Sequence, residues 1–403
     1  FFFAILSFVN VFVAQYYGAG NRKMCSAAVW QGIYIALGAY LAAACLIPFG
    51  RQAFSLFGHR AEIASLERIY YTVLMSASLM IMLNHTLAAF FTGRGLSHIT
   101  MAANVIGNVV NIILDWVLIF GHLGAPRLGI LGAALATAIA WTVPPAVMMA
   151  IFLRKDHQPE YKTRTAWRLR PELIKRLFRI GAPSGANDLT FFLVVGLFFM
   201  FMGRTLPESL AANNMAWSLN DLLTLYIHGF CLAATTIVAQ CIGSGRYDEA
   251  ERVVYLVLKI LLSMAALIAI VYLTLPDMLF SLFRVRGAGN GPGNVPFELI
   301  LPRGRIILLF FICYNFFFAF VYCFRQAVRG AGDTGYFLKV ALFVDVLIFI
   351  PGLIAAVRIF GCRVEVLWSF FLVYTAIVGG VHFFRFRSGI WKTLDTSKLK
   401  DHV

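Results

Sequence analysis

Long apolar runs, each closed by a short polar turn, dominate this chain from one end to the other. Runs of this length, about 20 residues or more, match the thickness of a bilayer rather than the width of a soluble core. The pattern predicts eleven helices, at roughly 1–17, 26–49, 63–92, 98–121, 128–153, 180–203, 209–242, 248–275, 304–330, 336–359 and 364–385. Two of the turns repeat. Val13-Ala14-Gln15 runs into Gly18-Ala19-Gly20, and Val238-Ala239-Gln240 runs into Gly243-Ser244-Gly245, 225 residues later. Gly93-Arg94-Gly95-Leu96-Ser97 is echoed by Gly330-Ala331-Gly332-Asp333-Thr334 at an offset of 237. Repeated hydrophobic segments are the sequence mark of secondary transporters, whose halves work about a central site.

The repeat organises the chain. Residues 1–153 form a first lobe, 180–385 a second, and 386–403 a cytoplasmic tail. Between the lobes, 154–179 reads as a cytoplasmic amphipathic linker in which Pro171 opens a short helix carrying Leu173, Leu177 and Ile180. At offset 225, Phe1 falls in the middle of a helix of the second copy, so a first helix is expected to be absent from the first lobe. The fold class expected is therefore an all-α polytopic membrane protein, two six-helix bundles related by a pseudo-two-fold, with twelve spans in full and about eleven visible.

Composition agrees: 60% of the residues are hydrophobic and 13% charged, where a soluble domain carries about 25% charged residues. The net charge of +15 does not imply nucleic acid, because its placement follows topology. With the turn after the first visible helix placed in the cytoplasm, cytoplasmic segments hold 22 of the 34 lysines and arginines, among them Arg325 and Arg329. Outer segments hold 11, with no lysine. This is the positive-inside bias, and the basic loops are expected against anionic headgroups. The seven cysteines show no metal spacing and read as packing residues. No Walker A, HExxH or GxSxG stands in context, so no enzyme activity is expected and transport must draw on an ion gradient.

Carboxylates inside a membrane are costly and need a partner, a proton or a cation. Asp115 follows Asn111 by four positions, and Asn104 and Asn108 continue the same stripe. Oxygen ligands of this kind suit a hard cation such as Na⁺, while protonation of Asp115 suits H⁺ equally. Asn84 and His85 lie in the preceding helix, and Asn84 is a candidate to complete the set. Asp345, at offset 237 from Asn108, is the acid inside the tenth visible helix, with Lys259 or a hydrated cavity as its neutralising partner and Pro351 expected to bend the helix. Asn213, Asn220 and Asp221 are candidates to face a second-lobe cavity.

Several motifs in order resemble the multidrug and toxic compound extrusion (MATE) transporters: Asn111-Ile112-Ile113-Leu114-Asp115, Gly129-Ile130-Leu131-Gly132-Ala133-Ala134 through Thr137, Arg179-Ile180-Gly181-Ala182-Pro183-Ser184, Arg329-Gly330-Ala331-Gly332-Asp333-Thr334, and the paired Gly-x-Gly turns. The resemblance implies an antiporter that exports drug-like, often cationic compounds in exchange for Na⁺ or H⁺ by rocking of two lobes. It places a cation site at Asn111, Asp115 and Thr137, and a carboxylate in the second-lobe cavity at Asp188, beside Asn187. Trp116 stands where the family often has proline. A lipid-linked oligosaccharide flippase of the same superfamily is the alternative; its strongly cationic cavity fits the mid-membrane acids poorly. No resident cofactor, no nucleic acid and a monomer in a bacterial inner membrane are expected.

Overall fold

The computed structural model describes residues 1–53, 61–283 and 295–392. The loop at 284–294 and the tail beyond 392 lie outside the described residues. Among the described residues fifteen α-helices follow one another: α1 (Phe2–Gly18), α2 (Arg22–Ala53), α3 (Ala61–Thr92), α4 (Ser97–Phe120), α5 (Ile130–Ala140), α6 (Val143–Phe152), α7 (Gln158–Tyr161), α8 (Pro171–Met202), α9 (Pro207–Gly243), α10 (Tyr247–Thr274), α11 (Pro276–Ser281), α12 (Phe297–Gly330), α13 (Thr334–Val340), α14 (Ile350–Phe360) and α15 (Val364–Arg387). A π-helical stretch, Ala341–Phe349, joins α13 to α14. Counting α5–α6 and α13–α14 as single spans, ten helical segments among the described residues are long and apolar enough to cross a bilayer, and α1 is a shorter apolar helix.

Proline chemistry accounts for where the segments differ from simple apolar runs. Pro171 does open a helix, but that helix continues without a break to Met202. Leu173 and Leu177 are buried as the amphipathic pattern requires, and Pro183 is accommodated inside the helix. The separate linker helix expected there is thus the first turns of α8. The run at 128–153 divides where Pro144 and Pro145 follow Val143, since neither offers an N–H to the preceding turn. In the tenth visible helix, Pro351 likewise has no N–H to give, and the residues before it adopt wider π turns.

The chain divides into two compact units, Phe1–Ala182 and Pro183–Lys398. In the first, α1 is buried on nearly every side, with Ile5, Phe8, Val9 and Phe12 fully enclosed. In the second, an aromatic core gathers Phe198, Phe311, Trp368 and Phe371, with Trp368 and Phe311 ring centroids 4.6 Å apart.

The sequence repeat is also a repeat of backbone geometry. Gly20, Gly95, Gly245 and Gly332 all adopt left-handed φ, between +77° and +83°. Each ends its helix with the same long-range closure: Asn21 N–H to Tyr16, Leu96 to Phe91, Arg246 to Cys241 and Asp333 to Val328 carbonyls. Packing repeats as well. A Cβ on Gly93 would lie 2.7 Å from Val13 Cγ1, and one on Gly330 would lie 2.8 Å from the Thr235 carbonyl and 3.3 Å from Val238 Cγ1. Val13 and Val238 are the paired valines of the repeated phrase. In each unit, therefore, the glycine that precedes one of the repeated turns seats against the valine that precedes the other.

Gly330→Ala should destabilise the protein by about 1–3 kcal/mol through overpacking. Gly93→Ala should do the same in its own unit, and the two should add. Gly380, with nothing within 4 Å of an added Cβ, is the control. Thermal unfolding in detergent reads this; equal melting temperatures for Gly330→Ala and Gly380→Ala would refute the packing role.

Candidate functional site

Helix α12 presents one face with an unusual gradient. Tyr314, Phe318 and Tyr322 recur every four residues, and Arg325 and Arg329 continue the same face. The rings stack in series: Tyr314 on Phe318 at 5.3 Å, Phe318 near Tyr322 at 5.3 Å, and Tyr322 on His228 of α9 at 5.0 Å. This face forms a wall of a cavity of about 570 Å³ inside the second unit, which α8, α9, α15 and the π-helical segment complete.

Charge in this cavity is organised by pairing. Arg325 Nη2 donates to Asp188 and, at 2.5 Å, to Asn187 Oδ1. Both acceptors are on α8, so the arginine ties α12 to α8. Its side chain is 15% exposed and that of Asp188 31%. Arg325 and Arg329, which the charge pattern assigns to the cytoplasmic side, lie in the last turns of α12 and line the cavity. The aromatic–aromatic–aromatic–Arg–Arg spacing on one helix face was the available signal.

Asp345 is the most enclosed acid of the cavity, 3% exposed, and sits in the π-helical stretch. Lys259 is exposed and is not its partner. Two hydroxyls are: Tyr374 OH donates to Oδ1 at 2.9 Å, and Thr190 Oγ1 lies 3.0 Å from Oδ2. Thr190 Oγ1 is also 2.8 Å from the Asn187 carbonyl of its own helix. A hydroxyl has a single proton. With Asp345 ionised, Thr190 donates to the carboxylate. With Asp345 protonated, the acid donates to Thr190 and Thr190 turns its proton to Asn187. The network satisfies both protonation states of Asp345 without moving a heavy atom.

The other second-unit candidates divide. Asn187, Asn220 and Asp221 line the cavity, and Asn220 Oδ1 accepts from Tyr272 at 3.1 Å. Asn213 does not line it. Its Oδ1 accepts from the Trp368 indole N–H at 3.1 Å within the aromatic core, so its role there is packing. Thr190, Tyr374, Trp217 and His382 had no pattern to mark them; each is a single polar or aromatic residue whose meaning comes from long-range contact.

In the first unit, Asn84 Nδ2 donates to Asn104 Oδ1 at 3.1 Å, joining α3 to α4. Asn111 Nδ2, Asp115 Oδ1 and Asn84 Oδ1 are buried without a hydrogen-bond partner. Thr137 Oγ1 donates to Ala133 in its own helix at 2.9 Å. Asp115 is five residues from the last residue of α4, so it lies about 7.5 Å from the helix end and not at its middle. Just beyond, His122 stacks on Trp116 at 4.1 Å, at the position of the family's proline.

The MatE family model matches residues 1–117 and 183–354, more than half of the chain. The chain belongs to the MatE family. A probable multidrug resistance protein NorM from Thermotoga maritima is 24% identical over 81% of this chain and 68% of its own length. One from Oceanobacillus iheyensis is 24% identical over 85% of this chain and 75% of its own, and one from Geobacillus kaustophilus 27% identical over 66% and 59%. Among solved structures, a MATE protein in complex with MaL6 aligns with a TM-score of 0.83 at 19% identity, covering 99% of this chain and 86% of that one. A Vibrio cholerae MATE transporter aligns at 0.81 and 16% identity, covering 97% and 86%. Members of the MatE family are membrane transporters, not enzymes, and this chain is a multi-pass protein of the inner membrane.

Removing Arg325 would break its ion pair with Asp188. Breaking a fully buried pair in this way costs about 3–5 kcal/mol; the partial exposure of Asp188 places Arg325→Leu toward the lower end or below it. Asp188→Asn added to Arg325→Leu should recover part of the loss in thermal unfolding. Simple additivity of the two substitutions would contradict the pairing.

Proposed function

We propose that the chain is a secondary antiporter that exports drug-like, often cationic organic compounds, with Asp345 as the exchange carboxylate of the second unit. The observation that carries this reading is the donor arrangement at Asp345. An enclosed carboxylate held by two hydroxyls, with the Asn187 carbonyl as an alternative acceptor, is built to gain and lose a proton in place. It adjoins a cavity whose aromatic wall suits flat hydrophobic molecules, through stacking and cation–π contact. Exchange follows from electrostatics. A bound organic cation favours ionised Asp345, and a proton arriving at Asp345 removes that attraction. The NorM name carried by the relatives, multidrug resistance, supports the substrate class.

The coupling ion is read here as H⁺ at Asp345. The first-unit set, Asp115 with Asn111, Asn84 and Thr137, is the candidate for a second cation, Na⁺ or H⁺; the unpartnered Asp115 Oδ1 and Asn84 Oδ1 suit a hard cation by their chemistry. The ion crosses as a co-substrate, so no resident cofactor is invoked. One-for-one exchange of H⁺ for a monovalent organic cation moves no net charge, so the pH difference drives it: one pH unit is worth about 1.4 kcal/mol, enough for roughly tenfold accumulation when coupling is tight. The lobes 1–153 and 180–385 would supply the moving parts.

Everted vesicles loaded by a pH gradient, with ethidium efflux as readout, test the assignment. Asp345→Asn should abolish H⁺-driven efflux while the protein still inserts and binds ethidium. Asp115→Asn should reduce efflux under whichever ion gradient that set serves. Unchanged H⁺-driven efflux in Asp345→Asn would overturn the reading.

A further inference from the structure

Residues 158–170 follow α6 as a strap that lies against α2 of the first unit. It is bound through its backbone. Trp30 Nε1 donates to the Thr163 carbonyl at 2.7 Å, Gln31 Nε2 donates to the Arg168 carbonyl at 3.1 Å, and Gln31 Oε1 accepts from the Arg170 N–H at 2.9 Å. Tyr34 OH donates to the Trp167 carbonyl. These bonds explain a glutamine that is fully buried in an apolar helix. They also place the strap in depth. Helix α2 has 32 residues, about 48 Å of helix against a hydrocarbon core of about 30 Å. Centred in a bilayer, it leaves about 9 Å in each headgroup layer. Trp30 is about 12 Å from the start of the helix and Tyr34 about 18 Å, so in that placement the strap is anchored about 3–9 Å inside the hydrocarbon edge, within reach of the headgroups for its long Lys and Arg side chains.

Tyr161 and Thr163 are buried, but from Arg164 to Arg170 the backbone is turned to α2 and most side chains face outward. Trp167 is 57% and Leu169 62% exposed. Lys162, Arg164, Arg168 and Arg170 are exposed between and beside them. Arg164 Nε and Arg170 Nη1 reach back to the Leu153 carbonyl and Met24 Sδ, while Lys162 and Arg168 are exposed. The strap's nearest acid, Glu160, is already paired with Arg22 at 3.0 Å. Tryptophan and arginine together at this depth are the combination that the membrane interface favours.

We propose that this strap is a binding surface for anionic phospholipid headgroups, with Trp167 and Leu169 seated in the interface and Lys162, Arg164 and Arg168 holding the phosphates. A lipid bound there would couple the composition of the membrane to the stability of the first unit, since the strap is fixed to α2 through Trp30, Gln31 and Tyr34.

The whole chain in lipid nanodiscs tests this, with two readouts. In discs of phosphatidylglycerol the melting temperature should exceed that in phosphatidylcholine by several degrees. Arg164→Gln/Arg168→Gln should lose most of that difference while keeping the phosphatidylcholine value. The fluorescence lost in Trp167→Phe should be quenched by lipids brominated on their acyl chains. Equal melting temperatures in the two lipids, a difference retained in the double variant, or quenching of Trp167 only by aqueous iodide would each overturn the proposal. A shift reproduced in phosphatidylcholine discs by inorganic phosphate alone would assign the site to free anions and overturn it as well.

Discussion

A polar group inside a bilayer has no water to turn to, and the protein must supply its partner. That constraint decides most of what is unusual in this chain. It explains why Gln31 spends both ends of its amide on the backbone of a strap. It explains why Arg325 is tied to two acceptors of the same helix, and why Asp345 is met by hydroxyls from two others. Helices satisfy their own backbones, so only side chains are left to be accounted for. The few that remain polar define the site.

The same constraint separates the two kinds of acid. Asp188 is ion-paired with Arg325 and forms a fixed part of the cavity wall. Asp345 makes no direct ion pair among the described residues; Arg325 shares its cavity but is paired with Asp188. Its partners are neutral and reversible, and a π-helical stretch widens the backbone around it. A group meant to exchange a proton or cation needs this second kind of surrounding, because a permanent counter-ion would pin its charge. The aromatic wall of α12 supplies affinity without directional demands, which suits a cavity that accepts more than one compound.

Architecture was legible in the sequence because bilayer thickness imposes it. Eleven apolar segments could be placed by length alone, and the repeated turns were visible as glycine pairs whose left-handed φ only glycine adopts freely. Asn220 and Asp345 could be named because acids and amides are conspicuous in apolar helices, and Asp188 with Asn187 through the family resemblance. Their partners could not be named, since Thr190 and Tyr374 meet Asp345 across 155 and 29 residues of sequence. That Arg325 and Arg329 line a cavity was not legible, because a basic residue in the last turns of a helix looks the same in sequence whether it faces solvent or a cavity. Asn213 was misread because an amide hydrogen-bonded to a core tryptophan looks the same in sequence as one facing a cavity. The continuous α8 was hidden by Pro183, a residue that ends most helices and is tolerated in this one.

If Asp345 exchanges a proton for an organic cation, binding of the two must be reciprocally linked. Ethidium binding to the purified protein, measured calorimetrically across pH at constant Na⁺, is the most direct test. Protonation of Asp345 removes the negative charge, so affinity should fall as pH is lowered, and the fall should vanish in Asp345→Asn. Affinity that is independent of pH in the unaltered protein, or a pH dependence that persists undiminished in Asp345→Asn, would contradict the account.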